Sequence, residues 1–225
     1  MSADAAPSPR LTKGDRTRRA MLDTTVDLLD EVGVQGLTLQ VLGERLGMHP
    51  TSIYRYFPSV DDLLAEAHVT LLDDLAAQLV LPEDPRERLI AMSVAVREQF
   101  HRRPGAAVLF AVTGGDRIAG TALVKSTLAA LRELGVAKRD LAVSYQALES
   151  YVLGTILYDF AGAPDHVVLR RERLAAVGDP ALEDACVSDA GVDALNERAF
   201  RLGLEALLDR IAAGPRPKKS ESLTY

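Results

Sequence analysis

The chain has 225 residues, 48% hydrophobic and 26% charged, with a formal net charge of −6. This composition can bury the core of one large domain, or of a small domain joined to a larger one, and it argues against a nucleic-acid protein coated in positive charge. No signal-like N-terminus and no apolar run of about 20 residues is present, so a soluble cytoplasmic protein without a membrane partner is expected; the single Cys186 permits no internal disulfide and, lacking a Cys or His cluster, no zinc site.

The distribution of charge says more than its sum. Arg10, Lys13, Arg16, Arg18 and Arg19 cluster, opposed locally only by Asp15. Residues 1–60 hold seven Lys/Arg and seven Asp/Glu, so this segment is neutral and the remainder carries the whole deficit. A basic edge on an otherwise acidic body is expected, with 1–12 a disordered basic arm.

Apolar residues recur at helical spacing almost throughout. Ala20, Val26, Leu29 and Val32 predict a first helix from about 12 to 32, ended by Gly33. Thr38 caps a short helix that reaches Leu46 and stops at Gly47. Pro50 suits the first turn of the next helix, which runs to about Tyr56, because its missing N–H would have no partner there. Ser59 caps a longer helix, with Asp62 three residues on. Further helices are predicted over about 60–80, 84–102, 105–112, 117–134, 138–161 and 191–213. Between 164 and 190 the pattern weakens to a loop with at most a short helix, and 214–225 reads as a disordered tail. The expected class is all-α, with a small domain over 13–59 and a larger one over 60–213.

Two short helices joined by a tight Gly-containing turn form a helix-turn-helix, which lays its second helix in the DNA major groove. "GMHPTSIYRYFPS", residues 47–59, suits that second helix. Thr51 and Ser52 are small and carry hydroxyls for bases or phosphates, Tyr54 and Tyr56 offer phenols, and Arg55 adds charge. The alternative for the tyrosines is that one ring, Tyr54 first, packs partly into the small domain.

From Arg16 to Leu64 the chain closely resembles the DNA-binding domain of the tetracycline-repressor (TetR) family, on "EVGVQGLT", "LGERLGM" and "TSIYRYFPS" followed by "DDLL". The resemblance implies an all-helical homodimeric regulator whose C-terminal helices bind a small molecule and release operator DNA. It implies a recognition helix from His49 to Tyr56, with Pro50, Thr51, Ser52, Tyr54 and Tyr56 as DNA contacts and Thr38 as a phosphate contact. Many members place a lysine after "FPS", where this chain has Val60. Arg18, Arg19 and Arg55 are then expected to supply the charge.

The C-terminal part is also similar, more weakly, to the tetracycline-binding members of that family, on "RPGAAVLFAVTGG", "ESYVLGTILYD" and "AFRLGLEALLDRI". Along this likeness a metal-binding histidine is replaced by Leu109 and an acidic residue near the metal by Tyr158. Polar groups that grip the drug are replaced by Ala76 and Ala91. Alkyl groups provide no metal ligands, so no metal or cofactor is expected. The predicted effector is largely apolar or aromatic, with Thr113, Gln146, Glu149 and Tyr158 as polar groups and Leu109, Phe110, Leu128 and Tyr145 as walls; ordinary core packing is the alternative for each wall.

The helices over 138–161 and 191–213 are apolar on more than one face, which predicts a homodimer interface, with Gly154 at a close helix approach. His101, Arg102 and Arg103 read as a solvated helix end, and the pairs Asp73/Asp74 and Glu183/Asp184 as exposed acidic faces. A helical enzyme is disfavoured, for no nucleophile and base, phosphate loop or metal cluster stands at informative spacing. Activation in place of repression, and a helical interaction module that does not bind an operator, remain the alternatives.

Overall fold

A computed structural model describes residues 12–109, 121–160, 166–180, 182 and 188–214. Among these residues the secondary structure is helical, without a strand. The arms over 1–11 and 215–225, the pair Glu183/Asp184 and Cys186 lie outside the described residues.

Helix α1 (Lys13–Gly36) starts at a capping box in which the Thr12 hydroxyl accepts from the Asp15 N–H while the Thr12 N–H donates to the Asp15 carboxylate. Its buried positions, including Met21, Leu22, Val26 and Leu29, form one stripe at helical spacing. Gly33 interrupts the helix where the sequence predicts its end, and one further turn carries the chain to Gly36. Helix α2 (Leu39–Leu46) is capped by Thr38 and closed by Gly47 at φ 63°. A side chain at position 47 would meet the left-handed penalty of about 1–2 kcal/mol. Helix α3 (Pro50–Tyr54) begins with Pro50 in its first turn and is shorter than predicted, since Arg55 and Tyr56 form a turn.

Helix α4 (Val60–Gln78) starts where Ser59 accepts from the Asp62 N–H. It packs on α1 below and on α5 (Pro85–Arg102) and α6 (Ala122–Glu133) above. Leu63, Leu64, Leu71, Leu72 and Leu75 enter a single core cluster that runs from Met21 to Leu208, so the predicted boundary at residue 59 is not a break in packing. A 3-10 turn at Pro104–Val108 follows α5, where the sequence predicts a helix over 105–112. Helices α7 (Leu141–Phe160) and α9 (Asp189–Ala212) pack on each other and on α5. Helix α8 (His166–Ala175) falls where the sequence predicts a loop with at most a short helix; "HVVLRRERLA" carries five charged or imidazole groups in ten residues, which obscures its apolar stripe.

Carboxylates and arginines tie these elements together. Arg18 on α1 makes a two-point ion pair with Glu66, donates to the Tyr56 carbonyl at 2.9 Å and lies over the Phe57 ring at 4.4 Å. Arg19 pairs with Asp23 and Asp74. Arg103 pairs with Asp27 and Asp30, and the Gly105 N–H donates to Asp30 at 2.8 Å. Asp73 accepts from the Ala122 N–H at 3.0 Å, capping α6 from the side of α4. Asp73 is exposed as expected, but Arg103, Asp73 and Asp74 are more than solvated charges, for each joins helices distant in sequence.

His68 on α4 is fully buried, and burial pulls its imidazole from 6.5 down to about 4. Between those values the unfolded chain takes up a proton that the folded chain refuses. Stability is complete above pH 6.5 and falls as the pH drops toward 4. At about 1.36 kcal/mol per unit, the loss between pH 6.5 and 5 is about 2 kcal/mol. Urea unfolding at pH 7 and pH 5 should show His68→Leu gaining about that much on the wild type at the lower pH; parallel pH slopes for the two proteins would refute this role.

Candidate functional site

The recognition segment has one face in the core and one in solvent. Ile53 and Phe57 are completely buried, with Leu42 of α2 against the same core, so the segment cannot turn without opening the small domain. On the other face Thr51, Tyr54 and Arg55 are exposed and Ser52 is half-buried. Tyr54 is 57% exposed, whereas Tyr56 is half-buried against the core. The ring that packs is thus Tyr56, the reverse of the sequence expectation, because its carbonyl and its neighbour Phe57 are held by Arg18.

His49 has a role that sequence reasoning missed. It is the N-cap of α3: Nδ1 accepts from the Thr51 N–H at 3.3 Å and lies 3.0 Å from the Thr51 hydroxyl. An accepting Nδ1 leaves the proton on Nε2, so the ring retains a donor. Thr38 accepts from the Val41 N–H at 3.1 Å and keeps its own hydroxyl proton, so it can cap α2 and still donate to an anion. An imidazole two residues before a backbone N–H at a helix start was the available signal for His49.

Arg18 and Arg19, predicted as DNA-facing charges, are engaged in the ties to Glu66 and Asp74. Arg45 pairs with Glu31. Among the described residues Lys13, Arg16 and Arg55 are exposed cations of this domain outside those pairs. They carry positive charge on the basic edge, beside exposed hydroxyl and imidazole groups. Such a surface offers hydrogen bonds and charge to a polyanion.

In the larger domain α4, α5, α6 and α7 line an apolar cavity of ≈ 80 Å³ that is open on one side. Leu89, Met92 and Val96 form one wall, Leu123 and Val124 another, and Leu148 and Val152 a third. Polar atoms come from Ser93, Thr127, Tyr145 and Glu149. The Tyr145 hydroxyl donates to Glu149 at 2.8 Å, and both burial and the adjacent carboxylate push the phenol up, so it stays protonated. Gln146 donates to the other Glu149 oxygen at 3.3 Å.

The predicted ligand residues divide. Tyr145 and Glu149 line this cavity. Leu128 and Gln146 line an adjacent groove with Arg132 and Lys138, and Tyr145 stands between the two spaces. Leu109 is fully buried and outside the cavity lining, so its role here is core packing. Phe110 and Thr113 lie outside the described residues, as does the side chain of Tyr158. Ala76 lines a third depression, between α4 and α6, and Ala91 lines none of these spaces. The α5 wall was missed, although Leu89, Met92 and Val96 stand at the three- and four-residue spacing of one helix face. Among the described residues no group of three or more His, Cys, Asp and Glu side chains could hold a metal ion, and no helix is long and apolar enough to cross a membrane.

Comparison with known proteins matches residues 21–67 to the family described as bacterial regulatory proteins, tetR family. An HTH-type transcriptional regulator of Saccharopolyspora erythraea is 30% identical over 152 residues, 64% of this chain and 61% of the relative, so the alignment spans about three fifths of that relative's length. The class A tetracycline repressor of transposon 1721 from Escherichia coli is 29% identical over 209 residues, covering 85% of this chain and 88% of the repressor. A solved structure described as a possible TetR family regulator from Streptomyces coelicolor A3(2) superposes with a TM-score of 0.70 at 27% identity, over 87% of this chain and 98% of that one. The capped helix-turn-helix, the helical body above it and these likenesses agree: residues 21–67 match the tetR family of bacterial regulatory proteins, and the chain is similar along most of its length to TetR-family transcriptional regulators.

Proposed function

We propose that the protein is a homodimeric, cytoplasmic repressor that binds a near-palindromic operator and is released by a small, largely apolar or aromatic effector. The observation that carries the reading is the division of the recognition segment, with Ile53 and Phe57 locked in the core while Thr51 and Tyr54 face solvent. Pro50, Thr51 and Ser52 then meet the groove, Thr38, His49, Tyr54 and Tyr56 meet phosphates, and Lys13, Arg16 and Arg55 supply charge.

The dimer is supported by the outer faces of α7 and α9. Val143 is 67% exposed and Leu202 72%, and Ala147, Gly154, Leu157, Ala199 and Ala206 continue the two apolar stripes. A two-fold interface would cover them. A Cβ added at Gly154 would meet nothing within 4 Å among the described residues, whereas the close approach within the chain falls at Gly203, against the Tyr151 ring. The Tyr151 hydroxyl donates to the Phe200 carbonyl at 2.8 Å.

A cavity of ≈ 80 Å³ is far below the roughly 300 Å³ of a typical ligand pocket. An effector would have to widen it by separating α6 from α5, which gives it different affinities for the DNA-bound and released states. Fluorescence anisotropy against the DNA flanking the protein's own gene, over a salt series, tests the reading. The expected result is sequence-selective binding whose affinity falls steeply with salt, and Arg55→Gln should lower the slope of log K against log salt by about 0.9 for each phosphate that Arg55 neutralises. Binding that is indifferent to sequence and salt would favour an interaction module.

A further inference from the structure

The walls of the apolar cavity bring one carboxylate, Glu149, next to a ring of alkyl groups. Its hydrogen-bond partners are neutral: the Tyr145 phenol at 2.8 Å and the Gln146 amide at 3.3 Å. A carboxylate has about four acceptor positions, so capacity for a further donor remains. Among the described residues no arginine or lysine lines the cavity, and Glu149 forms no ion pair. The cations of this region, Arg132 and Lys138, line the adjacent groove on the far side of Tyr145.

Resting on the effector reading above, we propose that the ligand is an apolar or aromatic amine whose protonated nitrogen meets Glu149. Three properties of the cavity select that chemistry. The alkyl walls take up a hydrocarbon body by burial. The half-buried carboxylate makes a charge-assisted hydrogen bond to an ammonium group about twice as strong as one to a neutral donor. The same carboxylate repels an acidic ligand, and an anion here would lack a positive partner. Tyr145 keeps the empty site in order: its hydroxyl occupies a Glu149 oxygen in the absence of ligand and can be displaced by the stronger donor.

Three probes of nearly equal size separate the possibilities: phenethylamine, propylbenzene and 3-phenylpropionate, titrated calorimetrically into the full-length protein. Phenethylamine should bind at least tenfold more tightly than propylbenzene, with 3-phenylpropionate weakest. In Glu149→Gln the tenfold preference for the amine should collapse to within about twofold. Tyr145→Phe frees the carboxylate of a competing donor and should strengthen amine binding severalfold, a gain that a damaged fold would not produce. Propylbenzene binding as tightly as the amine, or an undiminished preference in Glu149→Gln, would overturn the inference and leave the apolar effector pocket standing. Failure of all three probes to bind would remove the pocket reading together with it.

Discussion

Tyr54→Phe should weaken operator binding by about 100-fold or more while leaving the fold intact. The exposed phenol hydroxyl has no hydrogen-bond partner among the described residues, so its removal leaves no buried group unsatisfied. A surface change of this kind alters stability by about 0.5 kcal/mol at most. In a complex with DNA the same hydroxyl would donate to a phosphate. A hydrogen bond to a charged group contributes about 1.5–3 kcal/mol, and a symmetric dimer loses two of them. Anisotropy titrations and thermal unfolding of the same preparations check both halves. An unchanged melting temperature with operator affinity within twofold of wild type would remove Tyr54 from the interface.

Gly105→Ala should cost about 3 kcal/mol and lower the melting temperature by roughly 6–12 °C. A methyl group at this position would press into the Leu29 carbonyl carbon and oxygen and the Asp30 nitrogen of α1. These are backbone atoms inside a helix, so no side-chain rotation can relieve the clash. The 3-10 turn must retreat, and the hydrogen bond from the Gly105 N–H to Asp30 weakens with it. Gly14→Ala is the matched control, since its added carbon meets only the Thr12 hydroxyl, at an ordinary 3.6 Å. Calorimetry of both variants should show a large loss for the first and none for the second. Equal melting temperatures would mean that α1 and the turn are less closely docked than the structure has them.

The helix-turn-helix was legible because local chemistry determines it. Thr38, Gly47, Pro50 and Ser59 each do what their side chains favour at a helix end. The same local reasoning did not foresee the cross-helix partners of Arg18, Arg19, Asp73 and Asp74. Those partners lie 48 to 55 residues away, and nothing in a window of 15 residues announces such a pairing. A charged residue read alone defaults to solvent, or to DNA when it stands beside a recognition helix. The cavity shows a second limit. Tyr145 and Glu149 share a helix turn and could be chosen from spacing, but Met92 and Val96 become walls only through the packing of α5 on α6 and α7. Leu109 shows the converse, since alignment suggested a ligand wall and packing made it core.

The tie between Asp73 and the first turn of α6 turns α4 into a mechanical arm. Its 19 residues extend about 28 Å at 1.5 Å each. Arg18 and Arg19 tie the arm to α1 at Glu66 and Asp74, joining the reading head and the arm into one piece. Asp73 attaches that piece to α6, whose Leu123 and Val124 form the cavity wall. In the proposed dimer a tilt of about 3° would move the end of such an arm by about 1.5 Å, and two-fold symmetry would double the change in separation to about 3 Å. Set against a DNA repeat of about 34 Å, that shift puts the two heads out of phase with successive grooves by close to a tenth of a turn. In the proposed repressor, a gear train of three carboxylates and two arginines would thus convert a small swelling in an oily cavity into a loss of register on DNA.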